Sequence, residues 1–269
     1  MNGIRLDNEM TERGLAPSRE KARALIMAGA VYVDGIKAEK AGQAVKAGAS
    51  ITVKDDALPF VSRGGLKLDK AIRSFAIDLS EKVCADIGAS TGGFTDCMLQ
   101  NGAKRVYALD VGYGQLDWKL RNDPRVAVME RTNARFMSPE LFESSLDFAS
   151  IDVSFISLRL ILPPLFNCLA PEAKVVALIK PQFEAGRSEV GKNGVIRDKT
   201  IHRRVCAELM DFADGAGYTV LGLTYSPITG PKGNIEFLLY LQKGGDKNGT
   251  SRADWADLIQ KTVEQAHSG

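Results

Sequence analysis

Residues 218–242 read YTVLGLTYSPITGPKGNIEFLLYLQ, two β-rich apolar runs joined only by a short ITGPKGN connection. Parallel neighbours need a crossover of a dozen or more residues, so a link this short predicts an antiparallel pair. Upstream, from residue 66, the pattern is different. LKLDKAIRSFAI places Leu68, Ala71, Ile72 and Phe75 at helical spacing. The runs VCADIGA, RVYALDVG, VAVME, LDFASIDVS and KVVALIK then recur, separated by helix-like segments. That alternation predicts an α/β fold, a mostly parallel sheet with helices on both faces, finished at one edge by the antiparallel pair.

At 269 residues and 45% apolar composition, the chain has room for one large domain and a small one. No run approaches the roughly 18 apolar residues of a membrane span. The N-terminal MNGIRLDNEMTERG is charged where a secretory signal is apolar, so a cytoplasmic protein with no membrane partner is expected. Cys84, Cys97, Cys168 and Cys206 form no CxxC pair, and His202 and His267 have no ligand partner at metal-site spacing, so reduced thiols and no metal are expected. A net charge of +2 leaves any nucleic-acid surface to a local patch.

Residues 1–58 have a separate texture. LDNEMTERG and SREKARALIMAG read as short amphipathic helices, the second opened by Pro17 and Ser18 and closed by Gly29. AVYV, a turn at Asp34 and Gly35, and SITV complete a small α+β module. PFVSRGG, 59–65, reads as the linker to a second domain at 66–243. Residues 244–269 hold a polar GGDKNGT linker and a terminal helix whose Trp255, Leu258, Ile259 and Val263 are suited to docking.

DIGASTGGFTD, residues 86–96, lies between a strand and a helix start. Backbone N–H groups and a helix N-terminus at the mouth of a sheet attract polar ligands, and glycines allow close approach. The spacing is G-x-x-x-G-G rather than the dinucleotide fingerprint, which argues against a pyrophosphate. Asp110, closing the next run, stands where an acid accepts hydrogen bonds from a ribose. An adenosine ligand fits, and Asp86 either contacts it or orients the loop. The sheet edge is associated with S-adenosylmethionine (SAM) dependent methyltransferases.

Four ionisable residues interrupt or close apolar runs: Lys67 in SRGGLKL, Asp152 in ASIDVSFISL, Lys180 in VVALIKPQFE and Glu236 in GNIEFLLYL. In a doubly wound sheet the carboxyl ends of strands border the ligand crevice, so Asp152 and Lys180 should face it. Together with DIGASTGGFTD, this set resembles the K-D-K-E arrangement of FtsJ-like RNA 2′-O-methyltransferases. More closely, RLD, GLAPSREKA, SRGGLKL, GASTGGFTD, IDVSFISL, IKPQFE and GNIEFLL resemble the TlyA, or haemolysin A-like, family over residues 4–242. The resemblance implies an N-terminal S4-type RNA-binding domain, a Rossmann-like methyltransferase domain, SAM as methyl donor, and a cytidine 2′-hydroxyl of ribosomal RNA, free or in subunits, as acceptor. It implies Lys67, Asp152, Lys180 and Glu236 as catalytic residues. Gly88, Ser90, Gly92, Gly93 and Phe94 would wrap the methionine part, Asp110 the ribose, and the stretch from Glu130 through RTNAR would lie near the adenine.

A ribose 2′-hydroxyl is a poor nucleophile, and methyl transfer needs its oxygen in line with the methyl group and relieved of its proton. Lys180 is the candidate for engaging that hydroxyl, with Asp152 orienting it and Lys67 and Glu236 completing the charge network. Phe155 suits stacking on a base or ribose, or core packing. Residues 1–60 hold nine Lys or Arg against eight Asp or Glu, so RNA contact rests on placement: Arg19, Lys21 and Arg23 on one segment, with Arg5, Arg13 and Lys37 near it. Arg63, with Arg187, Lys192 and Arg197 in the EAGRSEVGKNGVIRD loop, extends the track. Three readings stand beside this one: a small-molecule methyltransferase, an RNA-binding protein with an inactive methyltransferase domain, and a membrane-lytic protein, for which no amphipathic basic helix speaks.

Overall fold

The computed structural model describes residues 4–16, 18–27, 29–46, 48–53, 59–186, 189–191, 193–244 and 249–268. Pro17, Arg187, Lys192 and residues 245–248 of the polar linker lie outside the described residues. The chain divides into two compact units, residues 1–63 and 64–269.

The first unit runs β1 (Ile4–Arg5), α1 (Leu6–Glu12), α2 (Arg19–Met27), β2 (Val31–Val33), β3 (Ile36–Lys37), β4 (Ala44–Val45) and β5 (Ile51–Val53). β1 pairs antiparallel with β4, and β3, β2 and β5 form an antiparallel sheet in that order. Leu6 with Met10 and Ala22 with Ile26, each pair one helical turn apart, present apolar stripes that meet Val31, Val45 and Ile51 in a small core.

The second unit opens with α3 (Gly64–Phe75), then β6 (Val83–Ile87), α4 (Gly93–Gln100), β7 (Arg105–Leu109), α5 (Trp118–Arg121) and β8 (Val126–Met129). It continues through β9 (Leu146–Ile151), α6 (Leu162–Cys168), β10 (Leu169–Ile179), α7 (Pro181–Glu184), α8 (Lys199–Gly215), β11 (Tyr218–Tyr225), β12 (Phe237–Lys243) and α9 (Trp255–Ser268). Seven strands form one sheet in the order β11-β12-β10-β9-β6-β7-β8. β10, β9, β6, β7 and β8 pair in parallel, and β12 is antiparallel to both β10 and β11. The pair expected at the edge is there, but its reversed member is the inner strand. β12 is therefore buried on both faces: Phe237, Leu239 and Leu241 join Leu209 and Val263 in the main core, while Tyr240 stacks on Phe75 of α3 with centroids 4.8 Å apart. Each such apolar side chain contributes about 1.5–3 kcal/mol on burial, enough to hold this strand's register against a one-residue slip.

One crossover departs from the helix-per-strand expectation. Between β8 and β9 the chain makes two single 3-10 turns, Ala134–Phe136 and Pro139–Leu141, in place of a helix. Asn133 caps the first by accepting from Arg135 N at 3.1 Å, and Pro139 breaks the run before a longer ladder forms. At the C-terminus α9 buries Trp255, Ile259 and Val263. No helix among the described residues is long and apolar enough to cross a membrane.

Candidate active site

β6 runs into the sheet mouth and the chain turns back through residues 88–92 before α4 begins at Gly93. The backbone N–H groups of Gly88 and Ala89 both donate to Leu109 O at 2.9 Å, pulling the loop onto the end of β7. Gly88 takes φ +87°, and a Cβ there would lie 2.6 Å from the carbonyl oxygen of Asp152. Asp152 N in turn donates to Ile87 O at 2.9 Å. The glycine loop and the Asp152 strand end thus share a wall with no room for a side chain, and a glycine is required at the joint.

Asp110 lies at the end of β7, accepting from Ser90 N at 2.8 Å on one oxygen and from Gly112 N at 2.7 Å on the other. It is half-buried, and each carboxylate oxygen keeps a second lone pair for a hydroxyl donor. A glycine at the joint between loop and strand end, beside an anchored acid, fits an adenosine-bearing cosubstrate. Glu130 braces the same rim: it pairs with Arg121 and accepts from Gly114 N at 2.7 Å, and the guanidinium holds its carboxyl below the usual range.

Of the two readings of Asp86, the one in which it orients the loop matches its surroundings, and Phe94 is likewise turned inward. Asp86 is fully buried and accepts from Thr95 N at 2.8 Å, Thr95 Oγ1 at 2.7 Å and Ser150 Oγ at 3.4 Å. Burial pushes its carboxyl up to about 7. It ties β6 to α4 and β9, orienting the loop from beneath. The Phe94 ring is also inside the core, as are Gly92 and Gly93, whereas Ser90 is exposed.

The four ionisable residues, spread over 169 positions, form one continuous chain of contacts. Lys180 Nζ lies 2.5 Å from Asp152 Oδ1, Lys67 Nζ 3.8 Å from Asp152 Oδ2, and Lys67 Nζ 2.6 Å from Glu236 Oε2. Lys67 and Lys180 are nearly buried, Glu236 fully so, and Asp152 has the most exposed side chain, at 21%. Two ammonium groups against two carboxylates leave the set electrically balanced.

Sequence reasoning missed Ser154, whose Oγ accepts from Lys180 Nζ at 2.8 Å. Its signal was the two-residue spacing from Asp152, which in an extended segment places both side chains on one side. Asp152 and Ser154 therefore take two of the three donor positions on Lys180 Nζ. Glu184 of α7 was missed as well: it accepts from Ser157 Oγ at 2.6 Å and Leu158 N at 2.7 Å, stapling the segment after Asp152 to the helix after Lys180. Between them stands Phe155, 90% exposed with φ +63°, its ring centroid 4.9 Å from that of Phe183.

In the first unit Arg5, Arg19 and Arg23 converge on Asp7. Lys21 is directed elsewhere, donating to Val61 O at 2.7 Å, and Arg13 donates to Glu9 and to Ala49 O, both at 2.7 Å. Arg63 is half-buried at the end of this unit, and Arg197 is exposed in the second.

A parallel sheet with one reversed inner strand, a glycine-led loop after its first strand and an acid ending the next is the architecture of the Rossmann-like methyltransferases. The family model described as FtsJ-like methyltransferase matches residues 60–243, and that of the S4 domain matches 4–51. The chain is 52% identical over 265 residues to YqxC of Bacillus subtilis, a candidate rRNA methyltransferase, covering 98% of this chain and 94% of that one. It is 46% identical over 262 residues to the 16S/23S rRNA (cytidine-2′-O)-methyltransferase TlyA of Mycobacterium tuberculosis, covering 97% of each. A solved structure from Streptococcus thermophilus, described as a candidate hemolysin, superposes with a TM-score of 0.79 at 47% identity, covering 100% of this chain and 97% of the other. The chain belongs to the FtsJ-like methyltransferase family, within its TlyA group.

Proposed function

We propose that the protein transfers a methyl group from SAM to the ribose 2′-hydroxyl of a cytidine in ribosomal RNA, in the cytoplasm, with residues 1–58 engaging RNA and residues 66–243 performing the chemistry. The observation that carries this reading is the Lys180–Asp152–Lys67–Glu236 chain lying against the glycine loop through the Gly88–Asp152 joint. The M. tuberculosis relative named for this reaction, 46% identical over nearly the whole length, supports the acceptor.

When bound, SAM supplies a sulfonium methyl that leaves a neutral thioether. Gly88 and the loop leading into α4 would receive its methionine part, and Asp110 would accept from its ribose hydroxyls. Once Lys180 has released one ammonium proton to solvent, its Nζ would accept the 2′-hydroxyl proton while that oxygen bonds the methyl carbon and the carbon–sulfur pair stays on sulfur. Asp152 carries the ammonium that results, and Ser154 with Asp152 holds the remaining Nζ position toward the cleft. Lys67, anchored on Glu236, balances Asp152 from its other oxygen. Phe155 offers an aromatic face to the target nucleotide, and Arg63 contacts phosphate.

The test is to incubate the protein with methyl-labelled SAM and naked rRNA, isolated subunits or intact ribosomes, and to map the label by nuclease digestion. Label on a cytidine 2′-oxygen is expected; tight SAM binding with no label on any RNA would overturn the reading.

A further inference from the structure

Asp7 sits in the first turn of α1 with its side chain wholly removed from solvent. Arg5, on β1, donates to it from Nε at 3.0 Å and Nη2 at 2.8 Å; Arg23 donates from Nε at 2.9 Å; and Arg19 Nη2 lies 3.7 Å away. Arg19 and Arg23 are one turn apart on α2 and share a face. Gly42, beside β4, lets the Arg5 guanidinium lie close, since a Cβ there would stand 3.1 Å from Nη1. The three arginines leave Asp7 well below the usual carboxylate range, the Arg5 hydrogen bond weighing most, despite its burial.

One carboxylate cannot balance three guanidiniums, so the cluster carries a surplus of two positive charges. Its arginine side chains are 48–50% exposed. Planar forks of this kind match the geometry of phosphate oxygens, and holding three of them together before a ligand arrives lowers the ordering cost of binding. We propose that Asp7 is the organising residue of a three-arginine socket, formed by Arg5, Arg19 and Arg23, that seats one backbone phosphate of the RNA. This rests on the reading of RNA as substrate. It differs from a generally basic surface because it assigns a binding role to a buried acid.

That difference is testable, because Asp7→Asn adds one unit of positive charge. A diffuse electrostatic surface binds RNA more tightly after the change. The socket, with its anchor lost, binds more weakly, on the order of tenfold, with a salt dependence shallower by up to about one phosphate equivalent. Binding of labelled naked rRNA by the full-length protein, read by fluorescence anisotropy at several salt concentrations, separates the two. Arg23→Lys keeps the charge and loses the fork; it is half-exposed, and it decides the matter should Asp7→Asn fail to fold. Weaker binding by Arg23→Lys at unchanged melting temperature supports the socket, whereas either folded variant binding as tightly as wild type, or more tightly, overturns it. Failure of the methyl-transfer reading is a different result, absence of 2′-oxygen label with the wild-type protein.

Discussion

The two units arrange charge in opposite ways. At the sheet mouth Lys67 and Lys180 meet Asp152 and Glu236, two cations against two carboxylates, largely withdrawn from water. In the small unit a single buried carboxylate faces three arginines that stand half in solvent. A balanced, desolvated set directs its electrostatics inward, fixing particular atoms against one another. An unbalanced, exposed set projects its field outward, where a polyanion feels it. Chemistry at one oxygen calls for the first, and retention of a long anionic strand calls for the second.

The contrast breaks most visibly at Glu236. Glu236→Ala leaves the Lys67 ammonium nearly buried without its 2.6 Å partner and is expected to cost about 3–5 kcal/mol, measured as a shift of the urea midpoint. The double change Lys67→Met with Glu236→Leu should restore most of that stability while abolishing transfer. A loss below about 1 kcal/mol for the single variant would mean that the pair behaves as a surface salt bridge.

Gly88→Ala attacks the joint between cosubstrate loop and charge network. A methyl group 2.6 Å from Asp152 O, on backbone at φ +87°, is expected to cost on the order of 1–3 kcal/mol of strain and to weaken SAM binding in calorimetry. Unchanged SAM affinity would separate the loop from the cosubstrate. Ser154→Ala is milder. It removes one of two contacts on Lys180 Nζ and should lower kcat about tenfold with KM for RNA unchanged, the worth of one hydrogen bond. A rise in KM alone would place Ser154 in RNA binding.

The smallest effect on methyl transfer lies away from both clusters. His202 is fully buried, with Nδ1 2.9 Å from His267 Nε2. Burial first, then His267, lowers it from 6.5 to about 4. The unfolded chain therefore takes up the proton first as pH falls: this contribution to stability is whole above about 6.5 and is lost toward pH 4. Thermal melts across that window should show the decline, and His202→Leu should flatten it without changing methyl transfer above it.

The apolar runs made the parallel sheet legible, because buried strands must be continuously apolar. The short 228–234 link revealed an antiparallel pair, but not that β12 would sit inside and β11 at the edge. Strand order depends on long-range packing that local pattern does not encode. The run after Glu130 looked helical enough for a crossover, yet Asn133 and Pro139 confined it to single turns. In the site, residue type and position at strand ends singled out the four ionisable groups, while their order of contact is a product of the fold. Asp86 and Phe94 sit in the glycine motif but face inward, a distinction that spacing cannot express. Asp7 was invisible for the opposite reason: its partners lie 2, 12 and 16 positions away, and only burial distinguishes it from an ordinary helix-start acid.

The most direct measurement is the single-turnover rate of methyl transfer from labelled SAM to rRNA by Lys180→Ala beside wild type, with SAM affinity measured on the same samples. If Lys180 takes the 2′-hydroxyl proton, the rate falls on the order of 10²–10⁴-fold while SAM affinity is preserved. A variant that transfers methyl at the wild-type rate would contradict the account.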